Sequence, residues 1–199
     1  MSPPATIIVS GFPRSGTTTL MRMLEGGGLK VLAGKKTRAA KDEYHPYGYY
    51  EMNNVGKFLK ASKPKITAGK VIKVVAPYIH YLPGNRPLRV IFMLRDETEI
   101  ISSLLAMKTV WNHRPSKTVA IARQYLEERK IPTKYIHYHE MVKYPKTTAL
   151  MVADFLGKEL DLDRMAEAVD SEARKKVRGV RIKGQEKLLR FDLKVIARD

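Results

Sequence analysis

Three observations predict an α/β protein: a single domain with a central parallel sheet flanked by helices and a P-loop-like nucleotide-binding architecture. Short apolar runs alternate with stretches of helical periodicity along the chain. The first apolar run passes through a tight, glycine-containing turn directly into a helical pattern, the local geometry of an anion-binding loop. The 199 residues suffice for one substantial core, and no repeat, low-complexity tract or linker divides them. The domain is therefore read as residues 1–199, with a basic, weakly patterned and partly irregular segment at 171–199.

Ile7, Ile8 and Val9 are β-branched and predict a buried first strand. Gly11, Phe12 and Pro13 end it, and Arg14, Ser15, Gly16, Thr17 and Thr18 form the turn. Leu20, Met21, Met23 and Leu24 then recur at helical spacing, and Gly26, Gly27 and Gly28 stop that helix. Residues 29–32 read as a short strand and residues 35–43, charged and small, as an exposed loop. An aromatic-rich turn at 45–51 leads into a helix whose apolar face is Met52, Val55 and Leu59 and which ends before Pro64.

Residues 69–75 and 88–94 read as strands, the second a central one because its run is nearly all apolar. Asp96 with Glu99 three residues on predicts a helix start, and Ile100, Ile101, Leu104 and Leu105 give that helix its buried face. A further helix is expected over 115–128 and a last strand over 134–139. Pro145 opens a helix that Gly157 closes, with Leu150, Val152, Phe155 and Leu156 inside. Residues 161–169 form a short helix. On such a sheet ligands bind at the carboxyl ends of the strands, where the 11–18 turn and Arg95 both fall.

The net charge of +17 is high for this length. Nine Lys or Arg and no Asp or Glu lie between Met52 and Arg95, and ten basic residues against three acids lie between Arg174 and Asp199. Such a field draws polyanions: nucleic acid, an acidic acceptor or a doubly phosphorylated nucleotide. The chain has no cysteine, which excludes disulfides and thiolate metal sites. No apolar run reaches membrane-spanning length, and residues 1–4 lead straight into the first strand without a visible signal peptide. A cytoplasmic protein is expected.

Gly11 and Gly16 have the spacing of a G-x-x-x-x-G-K-[ST] loop, but Thr17 stands where a nucleotide-hydrolysing loop has lysine, and the cation is Arg14. The run from Pro13 to Thr18 resembles the 5′-phosphosulfate loop of sulfotransferases that use 3′-phosphoadenosine 5′-phosphosulfate (PAPS). Arg95 with Ser103 eight residues on resembles the same family's 3′-phosphate motif, and a dianion suits a forked guanidinium plus a hydroxyl. An ion pair of Arg95 with Asp96 or Glu99 is the competing reading. Residues 135–142, Pro145 and 155–157 resemble a third family pattern, with Tyr138 at the tyrosine beside the adenine; His139 and Glu140 depart from it. His137 and His139, read on one face of a strand, are ordinary packing rather than a metal pair, and no metal is expected. Lys183 and Gly184 echo a loop over the 3′-phosphate, with Ile182 in place of its arginine.

The resemblance implies a fold, a donor and a site. Arg14 and the amides of Ser15, Gly16, Thr17, Thr18 and Thr19 would hold the 5′-phosphosulfate. Arg95, Ser103, Lys183 and Gly184 would hold the 3′-phosphate, and Lys73 would assist at the transferred group. Val75 stands where cytosolic members place a catalytic histidine, and the segment 46–51 resembles the glutamate-bearing segment of other branches. That makes Glu51 the candidate base, against a helix-terminal carboxylate stabilised by the dipole, with His45 and His80 next. The implied reaction is sulfuryl transfer from PAPS to a hydroxyl or amine of an unidentified, conceivably acidic, acceptor. A P-loop kinase acting on a nucleotide or small metabolite and a non-catalytic nucleic-acid or polyanion binder are the alternatives. Thr17 argues against the first, and the separation of aromatics from the basic runs against the second.

Overall fold

The computed structural model describes residues 4–42, 47–109 and 111–169. Lys183 and Gly184, with the basic segment, and His45 lie outside them. Five strands, β1 (Thr6–Gly11), β2 (Val31–Leu32), β3 (Val71–Lys73), β4 (Leu88–Leu94) and β5 (Thr133–His137), form one all-parallel sheet in the order β2-β3-β1-β4-β5. β1 is central and buried along its whole length. Side-chain alternation splits its apolar residues between two cores. Ile7 and Val9 pack with helix α1 (Thr17–Gly26) and with α7 (Tyr138–Lys143), α8 (Pro145–Leu156) and α9 (Leu162–Glu167). Ile8 faces the other side with Ile72, Val90 and Phe92, under α3 (Val55–Ala61), α6 (Pro115–Glu128) and the 3-10 helix Ala76–Tyr81. α2 (Lys35–Ala39), α4 (Pro64–Thr67) and α5 (Glu97–Ala106) complete the covering. Among the described residues no helix is long and apolar enough to cross a membrane.

The structure departs from the sequence expectations at several places, each with a local cause. Residues 35–39 are a helix, α2, not a loop. None of its residues is buried, so it carries no hydrophobic period to detect. Glu51 does not start a helix: it pairs with Lys73 as an isolated parallel bridge at the sheet edge. The helix begins three residues later than expected, at Val55, because Asn54 caps it by accepting from the Lys57 amide at 3.2 Å.

β2 and β3 are shorter than the runs 29–32 and 69–75, and Pro77 helps turn the chain into the 3-10 helix after β3. β5 ends at His137, opposite Leu94, the last residue of β4. Tyr138 and His139 therefore belong to α7, and His137 and His139 do not share a strand face. Leu150 is 57% exposed, not inside, because the inward stripe of α8 runs through Ala149, Val152, Ala153 and Leu156.

Candidate functional site

The loop between β1 and α1 is set by backbone sterics. Gly11 (φ 139°) and Gly16 (φ 97°) adopt left-handed conformations, as does Arg14 (φ 74°), where a side chain is strained. A Cβ on Gly11 would lie 2.7 Å from the Met93 carbonyl oxygen, and one on Gly16 2.5 Å from the Tyr138 ring. The loop is thus pressed between β4 and α7, and only glycine fits at either contact. Gly16 precedes the first turn of α1, whose N–H groups have no side-chain cap. Those amides and the helix dipole face the loop's concavity, a place for an anion.

Arg14 reaches across to α5, where its Nε donates to Ser103 Oγ at 2.9 Å. Arg95, directly after β4, donates from Nη1 to the Arg14 carbonyl at 2.8 Å. Its guanidinium carbon stands 4.1 Å from the centroid of Tyr138. The first loop, the β4 terminus, α5 and the start of α7 are thereby joined in one network. Arg95 also pairs with Glu99 (2.9 Å), whose second oxygen lies 2.9 Å from His139 Nε2. The competing ion-pair reading of Arg95 is therefore realised with Glu99, alongside its place at the loop. Asp96 instead caps α5, accepting from the Thr98 and Glu99 amides, and the Thr98 contacts hold its carboxyl below the ordinary value. Burial and the neighbouring Arg95 lower the pKa of Arg14.

Lys73 ends β3 with its side chain 4% exposed. Its ammonium contacts Glu51 Oε1 at 2.6 Å and Thr18 Oγ1 at 2.9 Å, tying the sheet edge to α1. Burial lowers the pKa of Lys73, and Glu51 opposes that shift. Glu51 Oε2 is shielded and has no hydrogen-bond partner among the described residues. The Glu51 backbone is fixed by α2: its carbonyl accepts from the Gly34 amide at 3.0 Å, and Thr37 Oγ1 lies 2.6 Å away.

These groups line one cleft of about 410 Å³, a size within the range of small-molecule sites. Arg14, Gly16, Thr17, Thr18, Thr19, Glu51, Lys73, Arg95 and Tyr138 all contribute to its wall. Two expected residues do not. Ser103 acts through Arg14 instead of lining the cleft. Ser15 turns its hydroxyl under the loop, where it is buried without a partner, and its amide donates to the Phe12 carbonyl at 3.0 Å. The Ser15 amide is thus engaged within the loop, whereas those at the start of α1 face its concavity. His80 lies away from the cleft, against the ring of Tyr81.

The sequence reading missed several residues of the lining. Tyr78, Leu104, Met107 and Trp111 add an apolar, aromatic lining to the cleft, Leu104 and Trp111 packing with Phe12 of the loop, and Arg22 stands over the Tyr47 ring at 3.5 Å. Arg22 was detectable in principle, since it follows Thr18 by four residues on one helix face. Among the described residues no cluster of three metal-ligating side chains occurs.

No family model matches the sequence, and no curated protein matches it. The fold itself is that of sulfotransferases. The sulfotransferase domain of the curacin biosynthetic pathway superposes with a TM-score of 0.50 at 16% identity, over 92% of this chain and 93% of that one. The sulfotransferase domain of the Synechococcus PCC 7002 olefin synthase gives 0.50 at 16% identity, over 92% and 90%. Mouse sulfotransferase SULT7A1, solved in complex with PAP, gives 0.54 at 16% identity, over 90% and 67%.

Proposed function

We propose that this chain is a PAPS-dependent sulfotransferase acting on a hydroxyl or amine acceptor. The observation that carries the reading is convergence. An anion loop without the kinase lysine, an arginine after β4 and a glutamate–lysine pair come from distant stretches and line one cleft. PAPS supplies an activated sulfuryl group on a good phosphate leaving group.

Arg14 and the amides of residues 16–19 would hold the 5′-phosphosulfate and balance charge on the departing phosphate. Arg95, stacked on Tyr138, would take the 3′-phosphate, with Ser103 holding Arg14 in place. Tyr138 would flank the adenine. Lys73, held by Thr18 on one side and Glu51 on the other, would assist at the transferred group. Glu51, which lines the cleft with its side chain 39% exposed, would accept the acceptor's proton. The same geometry disfavours a kinase, because Asp96 spends its carboxylate on the cap of α5.

The test is transfer from sulfur-labelled PAPS to a panel of sugars, phenols and amines. Glu51→Gln keeps the shape and removes the basicity, so transfer should fall about 10²–10⁴-fold. Donor binding should be nearly unchanged. Wild-type rates in the variant, with chemistry limiting, would overturn the role of Glu51.

A further inference from the structure

The four cations on the cleft wall are not equally compensated. Arg95 has Glu99, Lys73 has Glu51, and Arg14 is bound to Ser103 and is assigned to the donor's 5′-phosphosulfate. Arg22 has no carboxylate partner among the described residues. Glu25, one turn on, is taken by Arg38 at 2.6 Å and by the Tyr50 hydroxyl at 2.6 Å. Arg22 instead lies over the face of Tyr47, a contact that orients a guanidinium without neutralising it.

Its position is informative. Arg22 follows Thr18 by one helical turn, about 6 Å along α1, and Thr18 touches Lys73, which touches Glu51. Tyr47 lies four residues before Glu51 on the same segment, and its carbonyl is held by Arg38. The uncompensated cation therefore stands at the Glu51 side of the cleft, one helical turn beyond Thr18, where Tyr47 and Tyr49 of the Glu51 segment also line the cleft.

We infer that Arg22 is a specificity-determining residue that selects acceptors carrying a carboxylate near the reacting hydroxyl or amine. The inference rests on the sulfotransferase reading. A guanidinium oriented on an aromatic face and open to the cleft presents its fork to a carboxylate, and the aromatic and apolar residues that also line the cleft suit an apolar body attached to it. The acceptor class is thus a small anion with an apolar or aromatic body.

The experiment uses the protein saturated with adenosine 3′,5′-bisphosphate. It is titrated calorimetrically with 4-hydroxyphenylacetate and with the neutral 4-hydroxyphenylacetamide. The wild type should bind the carboxylate about tenfold more tightly, the factor that corresponds to one good charge-assisted contact. Arg22→Gln should bring the two ligands within about threefold by weakening the carboxylate alone, and Arg22→Lys should retain part of the preference. An equal preference in Arg22→Gln, no preference in the wild type, or binding of neither ligand would overturn the inference. A protein that does not bind the bisphosphate at all would overturn the parent reading instead. A thermal melt of each variant confirms that it is folded.

Discussion

The two sides of the cleft are built on different principles. The side proposed for the donor is fixed by backbone. Gly11 and Gly16 sit where no Cβ fits, and the loop is clamped between β4 and α7. The side bearing Glu51 is fixed by side chains. Lys73 holds its carboxylate, Thr37 its carbonyl, and the buried Tyr50 anchors the segment to Glu25. A backbone-fixed half tolerates few substitutions but holds its geometry, as a site for one anionic donor would require. A half held by side-chain contacts, each worth about 1 kcal/mol, tolerates change contact by contact. Acceptor choice is therefore expected to drift more easily than donor choice.

The largest effect belongs to the donor side. Arg95→Ala should weaken binding of adenosine 3′,5′-bisphosphate by about 2–5 kcal/mol, the range for truncating one partner of a buried charge pair. Plain AMP should lose far less. Equal losses for the two nucleotides, measured by calorimetry, would make Arg95 a structural partner of Glu99 and remove the donor half of the contrast.

Gly16→Ala probes the steric clamp. The left-handed conformation and the Tyr138 contact should cost about 1–3 kcal/mol of stability in denaturant melts. Bisphosphate binding should fall with it, since Tyr138 must move. An unchanged midpoint and affinity would show that the loop is not backbone-fixed.

Next is the α5 cap. Asp96→Ala should cost about 0.5–2 kcal/mol at neutral pH. The carboxyl is held below its ordinary value of 3.8, so its contribution is present above that value and is lost as pH falls through the lowered pKa. The difference between wild type and variant should therefore shrink in acid melts. A difference that persists at the lowest pH would place its origin elsewhere.

The smallest effect tests the other side. Thr37→Val should cost about 0.5–1.5 kcal/mol, since the Glu51 carbonyl keeps its bond from the Gly34 amide. Bisphosphate affinity should not move. A loss of donor binding in Thr37→Val would mean that the two sides are not independent.

The same contrast governs how much could be read from the sequence. Backbone constraints are written in residue type: the Gly11 and Gly16 spacing, the β-branched run before it and Arg95 at a strand end were all legible. Alternation of apolar runs was enough for the parallel sheet. Side-chain-held structure leaves little local pattern. α2 buries no residue, so nothing periodic marks it. Glu51 as a bridge to Lys73 is a contact across 22 positions, invisible to any local window. Leu150 was misplaced because an apolar residue in a helix does not by itself reveal its face, whereas Ala149, Val152, Ala153 and Leu156 do. Ser15 matched a motif by identity, but residue type does not show that the turn engages its amide with the Phe12 carbonyl.

The central claim is that the loop and Arg95 together hold a nucleotide with phosphates at both its 5′ and 3′ positions. It is tested most directly by calorimetry in magnesium-free buffer with adenosine 3′,5′-bisphosphate, beside a titration with magnesium and ATP. Saturable binding of the bisphosphate without magnesium, tighter than that of Mg-ATP, is the predicted result. Binding of Mg-ATP with none of the bisphosphate would contradict the account and assign the cleft to a phosphoryl-transfer enzyme.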